Sequence, residues 1–267
     1  MDRIQLLGVP HDENSSYLRG AAEAPPKIRA ELTSYAYNMW TETGVHLGSP
    51  GTLDDAGDLV FDGTRDPWQL IEDSVHKLIQ TGDAAICLGG DHAITHPIVK
   101  AFHRQYPNLS ILHFDAHPDI YHDFEGNPRS HASPFARIME EGLAQRLVQV
   151  GIRTATGHQR EQWTKFNVEA IEARHFQEAP RLYFETPVYI SLDIDALDPA
   201  FAPGVSHREP GGLTSRQIID TLHMLQGRIV GADIVEYNPR RDVSGITATV
   251  AAKLLKEIAG RILSPLA

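Results

Sequence analysis

SILHFDAHPD, residues 110–119, couples an apolar run of strand type to three metal-competent side chains. The run, residues 111–114, stops abruptly and releases Asp115, His117 and Asp119. Side chains alternate along an extended segment, so residues two and four apart fall on one side and these three can converge. The same construction recurs. VYISL, residues 188–192, releases Asp193 and Asp195 before the Asp198-Pro199 turn, and the run at residues 84–88 ends in GGDH, delivering Asp91 and His92. A polar turn after a buried strand accounts for one such segment. Three of them point to one shared site.

Around these runs the chain alternates strand and helix about eight times. A strand at residues 4–9 leads through a polar loop to a helix opened by Pro25 and Pro26 and running to about Tyr37. Residues 41–58 read as surface loop, with a short strand near Leu59. Asp66 caps and Pro67 begins a helix with Leu70, Ile71, Val75, Leu78 and Ile79 at helical spacing, ending at Gly82. Further helices are read from His96 to about Tyr106 and over 132–141, 156–166 and 247–262. Thr214 with Gln217 forms a capping box for another that ends at Gly227. Strands are read at 147–152, 168–171 and 228–235. Parallel strands need helical crossovers, so an α/β domain with a mainly parallel sheet follows, spanning residues 1–267 without repeat or linker. Periodicity leaves an open three-layer sheet and a closed eight-stranded barrel equally open. Both place sites beyond the carboxyl ends of strands, where every cluster above lies.

Composition narrows the function classes. With 267 residues, 42% of them hydrophobic, the chain can bury a sizeable core. The 24 basic and 35 acidic residues argue against nucleic acid or an anionic membrane as partner and favour approach of a cationic substrate. No apolar segment approaches the roughly 20 residues that span a bilayer. The opening MDRIQLLGVP lacks the basic start and long apolar stretch of a secretory signal, and the cytoplasm is the expected compartment. Cys87 is the sole cysteine, which excludes an intrachain disulfide and a thiolate-rich zinc site; it reads as a buried, inert thiol.

His92, Asp115, His117, Asp119, Asp193 and Asp195 together form a coherent donor set. Four ionised carboxylates in one pocket repel strongly, and two divalent cations cancel their charge. Carboxylates with two imidazoles and no thiolate favour hard or borderline ions, so Mn2+ is preferred over structural Zn2+. A shared carboxylate and a shared solvent would hold such ions roughly 3.5 Å apart. Asp91 is read as supporting a metal-bound imidazole, and His113 as a packed, hydrogen-bonded core histidine.

Four stretches carry a family resemblance: GGDHAITHP (89–97), ILHFDAHPDIYHDFEGNPRSHASPF (111–135), YISLDIDALDPAFAPGVSHREPGGL (189–213) and GADIVEYNP (231–239). Together they resemble the ureohydrolases, the arginase and agmatinase family, and their wording is most like plant arginases and their bacterial relatives. The resemblance implies an open α/β/α sandwich, two Mn2+ per subunit, a homotrimer or homohexamer, and hydrolysis of a linear guanidino compound to urea. By motif, His92, Asp115, Asp119 and Asp193 would hold one ion and Asp115, His117, Asp193 and Asp195 the other. Glu236 matches the glutamate that grips the guanidinium, and His131 the histidine that shuttles protons.

Whole-chain likeness favours arginine as substrate. Mammalian-type arginases carry an aspartate soon after the strand matching residues 147–152, where this chain reads GIRTATGHQRE, which leaves agmatine or a guanidino acid as alternatives. Asn127, His207 and Arg208 are the candidates for the substrate tail, with Arg208 available for a carboxylate. Two rivals stand beside this reading. A dinuclear phosphoesterase would want a late GHxH element, and no histidine follows His223; a non-catalytic metal-binding subunit would have lost some of these eight positions, which are all filled.

Overall fold

The computed structural model describes residues 3–264; Met1 and Asp2, which begin the MDRIQLLGVP stretch, and residues 265–267 lie outside the described part. Eight strands form one open sheet: β1 (Ile4–Val9), β2 (Leu53–Asp58), β3 (Ala84–Gly89), β4 (Ser110–Phe114), β5 (Arg146–Ile152), β6 (Glu169–Glu172), β7 (Val188–Asp193) and β8 (Ile229–Val235). Their order is β2-β1-β3-β8-β7-β4-β5-β6, and every neighbouring pair is parallel. The two edges, β2 and β6, do not meet, so the sheet is open rather than a barrel.

Helices cover both faces. On one side, α1 (Ala24–Leu32), α6 (Ser215–Met224) and α7 (Ile246–Leu263) bury Ile28, Ile218, Leu222 and Leu255 against Ile4, Ile86, Phe114, Leu192 and Ile234. On the other, α2 (Pro67–Ile79), α3 (Thr95–Gln105) and α4 (Pro134–Glu140) pack Val75, Phe102 and Phe135 on Leu7, Ile111 and Tyr189, and α5 (Gly157–Phe166) adds Trp163 and Phe166. Alternate residues of each strand feed the two layers. Strands sandwiched this way read as continuous apolar runs, which is why the central ones were legible in sequence.

Helices read to Gly82 and Gly227 end at Ile79 and Met224, and two boundaries differ more widely from the sequence reading. The strand expected near Leu59 is β2, in the stretch read as loop; its LDDAGD sequence has no apolar face because an edge strand needs none. Arg29 of α1 pairs there with Asp55 and Asp58. Helix α1 ends at Leu32 rather than near Tyr37. The Thr33 hydroxyl bonds back to the Arg29 carbonyl at 2.9 Å and the Ser34 hydroxyl accepts the Ala36 N–H at 3.2 Å, local bonds that compete with further helix.

The strand order positions the site. Although β3 and β4 are consecutive along the sheet's central stretch of sequence, β8 and β7 lie between them. The carboxyl ends of β3, β8, β7 and β4 are therefore contiguous, and they bear His92, Glu236, Asp193 and Asp115.

Candidate metal centre

The strand ends deliver their side chains through short, tightly held turns. Asp91 caps a single 3-10 turn at His92–Ile94, its Oδ1 accepting the Ala93 N–H at 3.1 Å, and Asp193 caps the turn at Ile194–Ala196 through the Asp195 N–H at 2.7 Å. Gly90 precedes the first turn because a Cβ there would lie 1.9 Å from the His11 carbonyl oxygen. Asp119 and Glu236 hold φ of 44° and 63°, the left-handed region that side-chain-bearing residues rarely adopt, and such strain gathers at functional positions.

Besides a buried trio of His92, His113 and Asp115, two groupings of the expected ligands result. His92, Asp115, Asp119 and Asp193 bring one donor atom each to within 4.8 Å of one another, and so do Asp115, His117 and Asp195. Asp115 belongs to both; Asp193, expected to bridge as well, falls in the first alone. His92 Nδ1 stands 3.2, 3.0 and 3.3 Å from oxygens of Asp115, Asp119 and Asp193, and His117 Nδ1 3.0 Å from Asp195. Backbone donors tie the carboxylates down: Ala116 N–H to Asp195 at 3.0 Å and His117 N–H to Asp115 at 2.5 Å.

The donor set fits a cation. His92 Nε2 lies 2.9 Å from the Ser191 hydroxyl, which donates its one hydrogen to Asp233 at 2.7 Å and so accepts from His92 Nε2–H. Nδ1 then carries the lone pair. It is buried, makes no hydrogen bond among the described residues, and points among three carboxylates. Without a cation the cluster attracts protons instead. Burial disfavours a charged His92, but the carboxylates of Asp115, Asp119 and Asp193 around Nδ1 raise its pKa well above the ordinary value; burial and then the charges of Asp195 and Asp115 push Asp193 well above the carboxylate range. A bound cation would relieve both.

Beside the cluster, His131 and Glu236 are hydrogen-bonded, Nδ1 to Oε1 at 2.8 Å. The Ser16 N–H donates to His131 Nε2 at 3.2 Å, so the neutral ring carries its hydrogen on Nδ1 and donates it to Glu236. Burial lowers the His131 pKa, but the Glu236 carboxylate outweighs it and takes the imidazole up to about 9. Glu236 Oε1 also accepts the His92 N–H at 3.0 Å. These groups share a cavity of about 200 Å³ with His117, Asp119, Asp193 and Asp195 on its floor and Ser16, Tyr121, Phe124, Thr154, Thr156, Gln159 and His207 around it.

Of the tail candidates, His207 lines the cavity, its ring 5.5 Å from that of His131. Asn127 and Arg208 do not. Asn127 shapes its own loop, accepting the Arg129 N–H, and exposed Arg208 is spent on the carbonyls of Pro203 and Arg241. Asp91 does not orient the His92 imidazole; its Oδ2 accepts the Asn14 N–H at 2.8 Å and thereby fixes the loop that presents Ser16 to His131.

The sequence reading missed Arg153. Its guanidinium donates to the carbonyls of Asp195 at 2.7 Å, Ala196 at 3.2 Å and Glu209 at 2.8 Å, stapling the Asp195 turn to the loop that bears His207. It also missed Ser16, Thr154 and Thr156. A usable signal existed for the last: Thr156 and Gln159 form a capping box, which fixes the start of α5 at the cavity.

Comparison with known proteins agrees with the motifs. The sequence model of the Arginase family matches residues 2–260. "Arginase, mitochondrial" from Medicago truncatula is 48% identical over 96% of this chain and 81% of its own length. The solved structure of arginase from Medicago truncatula superposes with a TM-score of 0.91 at 48% identity, covering 97% of this chain and 87% of that one. "Agmatinase" from Bacillus subtilis (strain 168) is 33% identical over 95% of this chain and 89% of its own length. One expectation is overturned. The Medicago relative and other plant relatives are named as mitochondrial or chloroplastic, which conflicts with the cytoplasmic compartment read from the first residues.

Proposed function

This chain belongs to the arginase family of hydrolases, and from that premise we propose that it hydrolyses a linear guanidino compound to urea and an amine, with arginine as the favoured substrate. The observation that carries the reading is the Glu236–His131 hydrogen bond in the same cavity as the carboxylate–imidazole cluster. Two Mn2+ ions, held by His92, Asp115, Asp119 and Asp193 and by Asp115, His117, Asp193 and Asp195, would supply an electrophile and a water of lowered pKa.

The chain's own residues do the rest. Guanidinium is a cation and needs an anion to draw it toward this floor. Both described hydrogen bonds of Glu236 fall on Oε1, leaving Oε2 for a guanidinium N–H. A carboxylate and a guanidinium pair in a fork that fixes the guanidinium carbon. In the hydrolysis a water oxygen bonds to that carbon as its O–H bonds break, the bond from carbon to the substituted nitrogen breaks, its electron pair stays with that nitrogen, and the two protons the water gives up end on the amine, which leaves as an ammonium beside urea. His131, in the imidazolium form that Glu236 favours, is the donor we assign, with the Ser16 hydroxyl 2.8 Å from its Nε2 as the group through which the proton leaves.

The rim favours keeping agmatine as a second substrate, because Ser16, Thr154, Thr156 and Gln159 offer only neutral hydrogen-bonding groups to the tail. We further infer that residues 1–267 act as one domain and that subunits assemble as a homotrimer or homohexamer, which light scattering measures. Urea release from arginine, agmatine and 4-guanidinobutanoate, before and after chelation and Mn2+ return, tests the function. The expected result is Mn2+-restored urea, fastest from arginine. No urea from any of the three, or phosphate from a generic phosphoester instead, would overturn it.

A further inference from the structure

One register position of the sheet, just below the site, is polar across four adjacent strands. Gln149 of β5 pairs with His113 of β4, His113 with Ser191 of β7, and Ser191 with Asp233 of β8. All four side chains are fully buried, on the face that otherwise holds Ile111, Leu147 and Tyr189. Such a row inside an apolar layer is costly unless every donor and acceptor is matched. It is matched, and in only one way.

The Trp163 indole N–H can only donate, and it does so to Gln149 Oε1 at 2.6 Å. The Pro118 carbonyl can only accept, and it takes Gln149 Nε2–H at 2.6 Å. These two partners fix which end of the amide is which. The second Nε2 hydrogen faces His113 Nδ1 at 2.9 Å, so Nδ1 must be bare. The one hydrogen of the His113 ring therefore sits on Nε2, which stands 2.8 Å from Asp115 Oδ2. Phe135 stacks on the ring with centroids 4.0 Å apart and prevents it from turning.

We propose that Trp163, Gln149 and His113 form a positioning relay that holds the Asp115 carboxylate for cation binding, His113 acting as a neutral hydrogen-bond donor and not as a ligand. The proposal rests on the metal-site reading above and deepens it. His113 lies close enough to His92 and Asp115 to be taken for a third ligand, but a nitrogen that carries a hydrogen has no lone pair to give. Asp115 is the one carboxylate common to both groupings, so its orientation governs both. Through Trp163 the relay reaches α5, whose first residues border the cavity at Thr156 and Gln159.

Neutron diffraction from perdeuterated, metal-free crystals of the whole protein, paired with EPR-monitored Mn2+ titrations, tests this. Wild type is expected to show deuterium on His113 Nε2 and none on Nδ1. Gln149→Met, similar in size but without the amide, is expected to weaken Mn2+ binding about 10–100-fold, the usual cost of losing a partner behind a ligand. Trp163→Phe, a milder cut at a partly exposed position that preserves packing, is expected to weaken it less. Deuterium on Nδ1 with Nε2 bare, or unchanged Mn2+ affinity in both variants, would overturn the relay. If Mn2+ affinity follows the relay while wild type releases no urea from any guanidino compound, the relay stands and the hydrolase reading falls.

Discussion

On the floor of the cavity, Asp193 and Asp195 project from a strand end and the turn that caps it, with Asp115 buried behind them, and all three are at most 4% exposed; around the rim, Ser16, Tyr121, Thr154, Thr156 and His207 come from loops. The floor is charged and each of its carboxylates is held by a backbone N–H, an imidazole or both. The rim is neutral apart from its imidazoles. On the function proposed above, the contrast corresponds to separate duties: the floor would set the class of chemistry, and the rim would have freedom to set which substrate tail is accepted. Residues on rigid elements keep reactive geometry, while loops tolerate change without loss of the scaffold.

Substitutions should therefore grade from floor to rim. The largest effect is expected from Asp115→Asn, which removes charge from the carboxylate shared by both groupings; turnover should fall by more than about 10³-fold with loss of bound metal, exceeding the 10–100-fold typical of residues behind a ligand. Metal analysis together with urea release checks it. Glu236→Gln comes next. It should lower kcat/KM by about 10²–10³-fold, the scale of losing one strong electrostatic contact, while both metals stay bound. If metal content falls as well, Glu236 belongs to the floor's scaffold rather than to substrate capture.

Ser191→Ala removes the acceptor that keeps hydrogen on His92 Nε2, and metal affinity should fall roughly 10–100-fold with little change in substrate preference. His131 gives a pH signature in the metal-free protein. Because its folded pKa lies near 9, above the ordinary 6.5, its stabilising contribution is complete below 6.5 and is lost as the pH rises through about 9. The stability difference between wild type and His131→Gln, measured by denaturant unfolding, should shrink across that window; a constant difference breaks the assignment. The smallest effect is expected from Arg208→Ala, at an exposed site outside the cavity: stability within about 0.5 kcal/mol of wild type and the same order of arginine, agmatine and 4-guanidinobutanoate. A changed order would bring Arg208 back to the rim.

The same division explains what was legible in the sequence. The floor could be read because a buried strand is an apolar run and its end is marked by sudden polarity, so 111–114 and 188–192 announced Asp115 and Asp193. The acidic edge strand β2 could not, since exposure on one side erases the pattern. On the rim, local spacing carried no message. Ser16 and His131 are 115 residues apart and meet because Asp91 holds the loop between them and the strands. Arg208 looked available beside His207, yet its direction is decided by carbonyls of Pro203 and Arg241, which no motif records. His113 was legible as a packed, hydrogen-bonded core histidine, as it proves to be, but its partner Gln149 was hidden: a single polar residue within an apolar strand gains meaning only when register sets it beside another.

Anomalous diffraction at the manganese edge, from crystals of the Mn2+-loaded protein, tests the two-ion floor most directly. The account predicts two peaks, one beside His92 and Asp119 and one between His117 and Asp195, with Asp115 and Asp193 touching both. A single peak, or ions bound away from Asp115, would contradict it.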